Sequence, residues 1–168
     1  MLVSRKIVPC LWFDSEAEEA AKFYVSLFPT SKIVDLVRYT KEGVEIHRRP
    51  EGSVMVVMFR IEGQEFVALN GGPLFKFNEA ISFQVQCETQ DEVDHYWEGM
   101  GKGGDPAAQQ CGWLKDRFGV SWQIVPKILL EMLRDPDRRA VERVTKAFLQ
   151  MKKFDIATLE RAYAGERR

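Results

Sequence analysis

Residues 6–28 read KIVPCLWFDSEAEEAAKFYVSLF, and residues 80–100 read AISFQVQCETQDEVDHYWEGM. Each stretch opens on apolar and β-prone residues and then changes to helical spacing. In the first, 6–13 predicts a strand. Ser15 and Glu18 match a capping box, and Ala17, Ala20, Ala21, Tyr24, Leu27 and Phe28 form one apolar helical stripe that Pro29 ends. In the second, 80–86 alternates as a strand with Ile81, Phe83 and Val85 on one face, and Thr89 and Glu92 form a second box before Val93, Tyr96 or Trp97, and Met100. A shift of 72 residues superposes Leu11 on Phe83, Phe13 on Val85 and Tyr24 on Tyr96. The chain is built from a repeated β-α opening.

The segments after each helix are strand-like. After the first come 33–39, 54–61 and 65–70, with Glu62 and Gly63 as a hairpin turn. After the second come 107–113, 114–116 and 120–126, with 116–119 as the turn. Both halves are therefore expected to be β-α-β-β-β. The interval 41–52, charged and carrying Pro50, reads as a surface loop, and 70–78 as the linker between modules. Beyond Pro126 the pattern is helical. Asp135 and Pro136 suit a helix start, Val141, Val144, Ala147, Phe148 and Met151 make a stripe, and Asp155 caps a last helix bearing Leu159 and Tyr163. The expected organisation is a first module at 1–72, a second at 73–126 and a helical extension at 127–168.

Composition narrows the function classes. The 168 residues carry 24 Lys and Arg against 25 Asp and Glu, a net charge of −1, with 45% hydrophobic residues. A chain of this size buries about 70% of its unfolded surface and needs no disulfide or metal to hold a core. Three cysteines, Cys10, Cys87 and Cys111, are odd in number and far apart, which suits reduced thiols. Near-neutral charge argues against a nucleic-acid partner, and no apolar run approaches the ~20 residues that span a bilayer. A cytoplasmic location is expected. Residues 127–168 are the basic zone, with 11 basic and 7 acidic residues.

Paired β-α-β-β-β modules resemble the vicinal oxygen chelate superfamily, which includes glyoxalase I, extradiol dioxygenases and bleomycin-resistance proteins. The stretches PCLWF (9–13), FYVSLF (23–28), CGWLKDRFGVSWQ (111–123) and MKKFDIATLE (151–160) are similar to the PhnB-like group, often labelled 3-demethylubiquinone-9 3-methyltransferase. The resemblance implies an α+β fold in which two modules form a curved sheet around a cavity, with the C-terminal helices outside the repeat. Metal-dependent relatives place ligands on the first and last strands of each module. Those positions fall on Val8, Ala80, Gln123 and the face of Phe66, Ala68 and Asn70, which offer at most neutral amide oxygens. The expectation is no metal and no cofactor. Nor does a glycine-rich turn run from a strand into a helix to hold a nucleotide; Gly99, Gly101, Gly103 and Gly104 follow a helix and read as its C-cap.

If Leu11 and Phe13 pack under the first helix, period-two alternation turns Val8, Cys10 and Trp12 the other way. The same alternation turns Ser82, Gln84 and Gln86, and Ser121, Gln123 and Val125, to the cavity side. The candidate ligand-binding residues are Cys10, Trp12, Asn70, Gln84, Trp113 and Gln123, with no catalytic residue identified. Amides, a thiol and indoles suit an uncharged, partly aromatic small molecule. Cys10 and Cys111 read as inert thiols, and Asp91 with His95 as a solvent-facing helix pair. The expected function is metal-free small-molecule binding by a homodimer. The alternative is an enzyme of the same superfamily, a metal-assisted lyase or isomerase or the methyltransferase of the group label.

Overall fold

The computed structural model describes residues 6–166, which divide between Phe77 and Asn78 into two compact units. The first unit carries β1 (Cys10–Phe13), α1 (Ala17–Leu27), β2 (Lys32–Arg38), a single turn α2 (Val44–His47), β3 (Val54–Ile61) and β4 (Gln64–Asn70). Its sheet has the order β1-β4-β3-β2, with β1 parallel to β4 and the other pairs antiparallel. The β-α-β-β-β expectation holds here. The expected strand 6–13 shortens to four residues; Pro9, which has no N–H to give a ladder, still accepts from the Val67 N–H at 2.9 Å. The interval expected as a plain loop contains α2, bracketed by Gly43 and Arg48 in the left-handed region.

One face of this sheet is buried under α1. Leu11 and Phe13 of β1, Val57, Phe59 and Ile61 of β3, and Phe66 and Ala68 of β4 meet Ala17, Ala20, Ala21 and Tyr24 of the helix. Three alanines let the helix approach closely, and Tyr24, Phe59 and Phe66 stack in sequence at 6.1 and 5.3 Å. Each large side chain buried this way contributes about 1.5–3 kcal/mol. The helix start differs from the expected Ser15 capping box. Ser15 lies one residue outside the N-cap, Glu16, which makes no side-chain cap bond. The cap comes instead from the sheet: the Ala17 N–H donates to Asn70 Oδ1 at 2.8 Å.

The second unit carries β5 (Phe83–Cys87), α3 (Gln90–Gly101), a 3-10 turn (Pro106–Ala108), β6 (Trp113–Lys115) and β7 (Ser121–Pro126), followed by α4 (Lys127–Met132), α5 (Arg138–Phe148) and α6 (Ile156–Ala164). Its sheet has the order β5-β7-β6, with β5 parallel to β7. The Thr89 box forms in a shifted version: Thr89 Oγ1 accepts from the Glu92 N–H, but the Glu92 carboxylate accepts from the N–H of Glu88, one residue before the cap. The strand expected at 107–113 does not form. Pro106 opens a 3-10 turn capped by Asp105, and Cys111 and Gly112 both have positive φ, so only an isolated bridge, Gln110 to Trp113, remains. This module is consequently β-α-β-β.

The C-terminal helices belong to the second unit. Val125, Leu129, Met132, Val144, Phe154 and Leu159 form one buried cluster, with Phe148 and Tyr163 against it. Asp155 caps α6 as expected, whereas α5 starts two residues later than expected, capped by Asp137. The Cys111 and Gly112 N–H groups donate to Met151 and Lys152 carbonyls at 2.9 and 2.8 Å, and the Phe154 ring lies over Gly112. No helix among the described residues is long and apolar enough to cross a membrane.

A Cβ at Gly112, where φ is +79°, would sit 2.4 Å from the Phe154 ring and 2.9 Å from the Ile124 carbonyl oxygen. Gly112→Ala is expected to destabilise the chain by about 2–4 kcal/mol, through backbone strain plus overpacking. Urea unfolding of the two proteins side by side measures it; an unchanged midpoint would mean that the tail does not bear on Gly112.

Candidate functional site

In the second unit α3 covers one sheet face, burying Cys87, Leu114, Trp122 and Ile124 beneath Val93 and Met100. Alternation leaves the other residues of each strand on the opposite face. Gln84 of β5, Gln123 of β7 and Trp113 of β6 lie directly across from one another in a single rung. Gln86 and Val125 form the rung on one side, and Ser121 and Lys115 the rung on the other. The alternation that put Gln84 and Gln123 on one side agrees with this register, and β6 adds Trp113 to them.

The amides in this rung are joined loosely. Gln123 Nε2 donates to Ser82 Oγ at 2.8 Å, but the Gln84 Nε2 to Gln123 Oε1 contact is 3.4 Å and the Gln86 Nε2 to Gln84 Oε1 contact 3.3 Å. Bonds that long are weak. Each primary amide also has two N–H groups and two lone pairs, so capacity remains after these contacts. Trp113 is half-buried, and its indole N–H makes no hydrogen bond among the described residues. Ser121 Oγ, two residues along from Gln123, is likewise buried without a partner. At the far rung Val125 passes into the buried C-terminal cluster, which closes that end of the face.

The β7 strand that carries Gln123 is held by a feature that the sequence reading took only as a turn. Asp116, 2% exposed, accepts from the Phe118 and Val120 N–H groups through Oδ1 and from the Trp122 indole through Oδ2 at 2.8 Å. A buried carboxylate satisfied by three donors ties the hairpin to the strand. Gly119, with φ +88°, completes the turn.

In the first unit Cys10 and Trp12 lie on the face away from α1, beside Val67 and Leu69 of β4. Val56 and Met58 of β3 continue that face. It is mainly apolar, with the half-buried Arg60–Glu65 ion pair at one end, 2.7 Å long. That pair was not singled out from the sequence, although its placement astride the Glu62–Gly63 turn is the available signal. Trp12 is partly occupied: its indole N–H donates to the Gly72 carbonyl at 2.8 Å, Phe75 packs against it edge-on at 4.9 Å, and Gly71 lies beneath it. A Cβ on Gly71 would fall 2.3 Å from the ring. Trp12 thus seats the chain that leaves β4.

Asn70 lies on the opposite face, the helix side, because the parallel register places it beside Phe13. It is 6% exposed. Oδ1 accepts from Ala17, Nδ2 donates to the Val54 carbonyl at 3.0 Å, and its own carbonyl accepts from the Tyr39 hydroxyl at 2.6 Å. These bonds make Asn70 a joint between α1, β3 and β4 rather than a group offered on the open face.

The thiols differ in setting. Burial, assisted by the nearby Glu92 carboxylate, pushes the Cys87 thiol up to about 12. Partial burial also raises Cys10 above the ordinary thiol value. Neither environment supplies a cation to form a thiolate nucleophile. His47 packs tilted against Tyr39 at 4.4 Å within the first unit, and His95 on α3 packs edge-on against Tyr96 at 4.9 Å. No group of three or more His, Cys, Asp or Glu side chains able to hold a metal ion occurs among the described residues. Val8, Ala80, Gln123 and the Phe66, Ala68 and Asn70 face, which the resemblance points to as ligand positions, carry no imidazole, thiolate or carboxylate, a set of side chains that does not fit a divalent metal. The two turns from strand to helix, at 14–16 and 88–89, contain no glycine, and the glycines after α3 form its C-terminal turn.

A family model described as 3-demethylubiquinone-9 3-methyltransferase matches residues 5–125. Among solved structures, the PhnB protein from Bacillus cereus is 36% identical with a TM-score of 0.62, covering 73% of this chain and 99% of that one. Protein PA1353 from Pseudomonas aeruginosa is 18% identical with a TM-score of 0.54, covering 73% of this chain and 98% of its own, a likeness of fold. No curated protein matches.

Asn70→Ala is expected to leave the Ala17 N–H buried and unpaired and to cost about 1–3 kcal/mol in urea unfolding, against a near-neutral change for the exposed Gln86→Ala. Thiol alkylation separates the cysteines. At pH 8 Cys87 is expected to stay unlabelled by iodoacetamide in the folded chain and to react once urea unfolds it, because a thiol titrating near 12 holds almost no thiolate there. Mass-spectrometric labelling in the native state would show the opposite if the site were open.

Proposed function

The chain belongs to the 3-demethylubiquinone-9 3-methyltransferase family, the PhnB-like group of the vicinal oxygen chelate superfamily, and from that premise we propose that it binds a small uncharged molecule without a metal. The observation that carries the reading is the rung Gln84–Gln123–Trp113 on the open face of the second sheet. Amides joined at 3.3–3.4 Å exchange their mutual contacts for a ligand's at little cost, and the free indole N–H beside them adds a donor and an aromatic surface. Neutral amides present both donors and acceptors and favour a planar ligand with amide- or quinone-like polar edges. Replacement of ligand positions by valine, alanine and a neutral amide supports the metal-free part of the reading. Homodimer formation is part of the same proposal, supported by Leu74 and Phe75, whose exposures of 74% and 59% leave apolar surface to cover.

The methyltransferase of the family description is the competing activity, and one titration set separates the two. Benzamide, a planar neutral amide, is expected to quench Trp113 fluorescence saturably. Gln123→Ala is expected to weaken that binding about tenfold, the loss of one or two hydrogen bonds. S-adenosylmethionine and Zn²⁺ are expected to give no heat in calorimetry. Stoichiometric binding of either, with benzamide without effect, would overturn the proposal.

A further inference from the structure

Beyond the second sheet the unit contains a groove of about 670 Å³ between α5 and α6. It lies at residues 143–166, past the end of the family match at 125, and shares no residue with the rung of amides. Its charge is one-sided: Arg143, Lys146 and Arg161 line it against the single carboxylate of Glu166. Its floor is apolar and half-buried, formed by Ala147, Met151 and Ala162.

The fold accounts for only part of this charge. Arg143 has a structural role, in which Nε donates to the Ala162 carbonyl at 2.9 Å and Nη2 to the Tyr163 carbonyl, satisfying the end of α6, while the guanidinium lies on Gly165. These bonds hold its plane still and leave Nη1 without a partner among the described residues. Arg161 commits one N–H to Thr158 Oγ1 at 2.8 Å. Lys146 makes no ion pair among the described residues, and no salt bridge joins any of the three to a carboxylate there. Elsewhere in the unit the lysines at 115, 127 and 153 each pair with an acidic side chain. Glu166 at the rim and Asp155 near Arg161 offset this charge only in part, so three cations around one concavity still repel one another, and a bound anion relieves that repulsion.

We propose that this groove is a binding site for a small organic anion, a phosphate monoester or carboxylate carrying a short apolar group. The pre-set Arg143 guanidinium, with Lys146 and Arg161 at the rim, recognises the anionic head, since planar guanidinium forks match both carboxylate and phosphate oxygens. Ala147, Met151 and Ala162 receive the apolar group. Thr158 Oγ1 accepts from Arg161 while its hydroxyl donates to the Asp155 carboxylate, which fixes Arg161 at the rim.

The test uses the full chain, labelled with ¹⁵N, and phenyl phosphate as the probe. Saturable amide shifts are expected at Lys146, Gln150, Thr158 and Arg161, with affinity at least tenfold above that for benzyl alcohol. Binding should weaken with added salt. Lys146→Glu with Arg161→Glu is expected to reduce affinity at least tenfold. Both side chains are exposed, and Arg143, which caps α6, is left in place, so the melting temperature of the double variant checks folding separately. Equal response to benzyl alcohol, retained affinity in the folded double variant, or shifts confined to 82–123 would overturn the site. Inorganic phosphate binding as tightly as phenyl phosphate would overturn the apolar floor, and hence the organic class of ligand. None of these readouts depends on the amide rung, so failure here and failure of the proposed function are separately visible.

Discussion

The parallel pairing of each module's opening strand with its closing strand is the constraint on which the rest depends. In the first unit β1 lies against β4, and in the second β5 lies against β7. A parallel pair cannot be closed by a tight turn, so the chain between its strands carries a helix and antiparallel strands, and in each unit that helix packs across one face of the sheet. That single crossover buries Leu11 and Phe13 in one unit and Trp122 and Ile124 in the other. It leaves the alternate residues on a face that no helix of the crossover covers. Asn70 shows how closely pairing and packing are linked, because the same register that sets it beside Phe13 brings its amide to the first turn of α1.

Two polar joints keep this arrangement unique. Asn70 connects α1, β3 and β4, and Asp116 connects the β6–β7 hairpin to Trp122. Each is buried and each commits its polar atoms to partners distant from or across a turn, so loss of either leaves unpaired groups rather than a rearranged surface. The open rung differs in kind. Gln84, Gln86 and Gln123 hold one another at long distances, and Trp113 keeps its indole proton free of the described residues. Tightly satisfied polar groups mark the scaffold, and the loosely satisfied ones lie on the sheet face opposite α3.

The C-terminal helices are integrated with the second unit through backbone as well as side chains. Cys111 and Gly112 donate to the chain entering α6, and Phe154 occupies the space that glycine leaves. Two left-handed residues in succession make this exchange possible and abolish the strand expected there. The second module thereby gives up a strand and gains a docking point for the tail.

Much of the architecture was readable in local pattern. The repeated strand-to-helix change, the Thr89 box, the Asp155 cap and the buried stripe of Ala17, Ala20, Ala21 and Tyr24 derive from period and capping chemistry, which act over a few residues. The shared face of Gln84 and Gln123 was legible too, since both strands alternate and the residues between them are apolar. Other features depended on partners far along the chain. The helix cap at Ala17 came from Asn70, 53 residues away, and displaced the local signal at Ser15. The face on which Asn70 sits, the commitment of the Trp12 indole to Gly72, and the cationic groove between α5 and α6 were decided by tertiary structure. Sequence period fixes which residues share a side of an element, but only long-range register and packing determine what lies opposite that side.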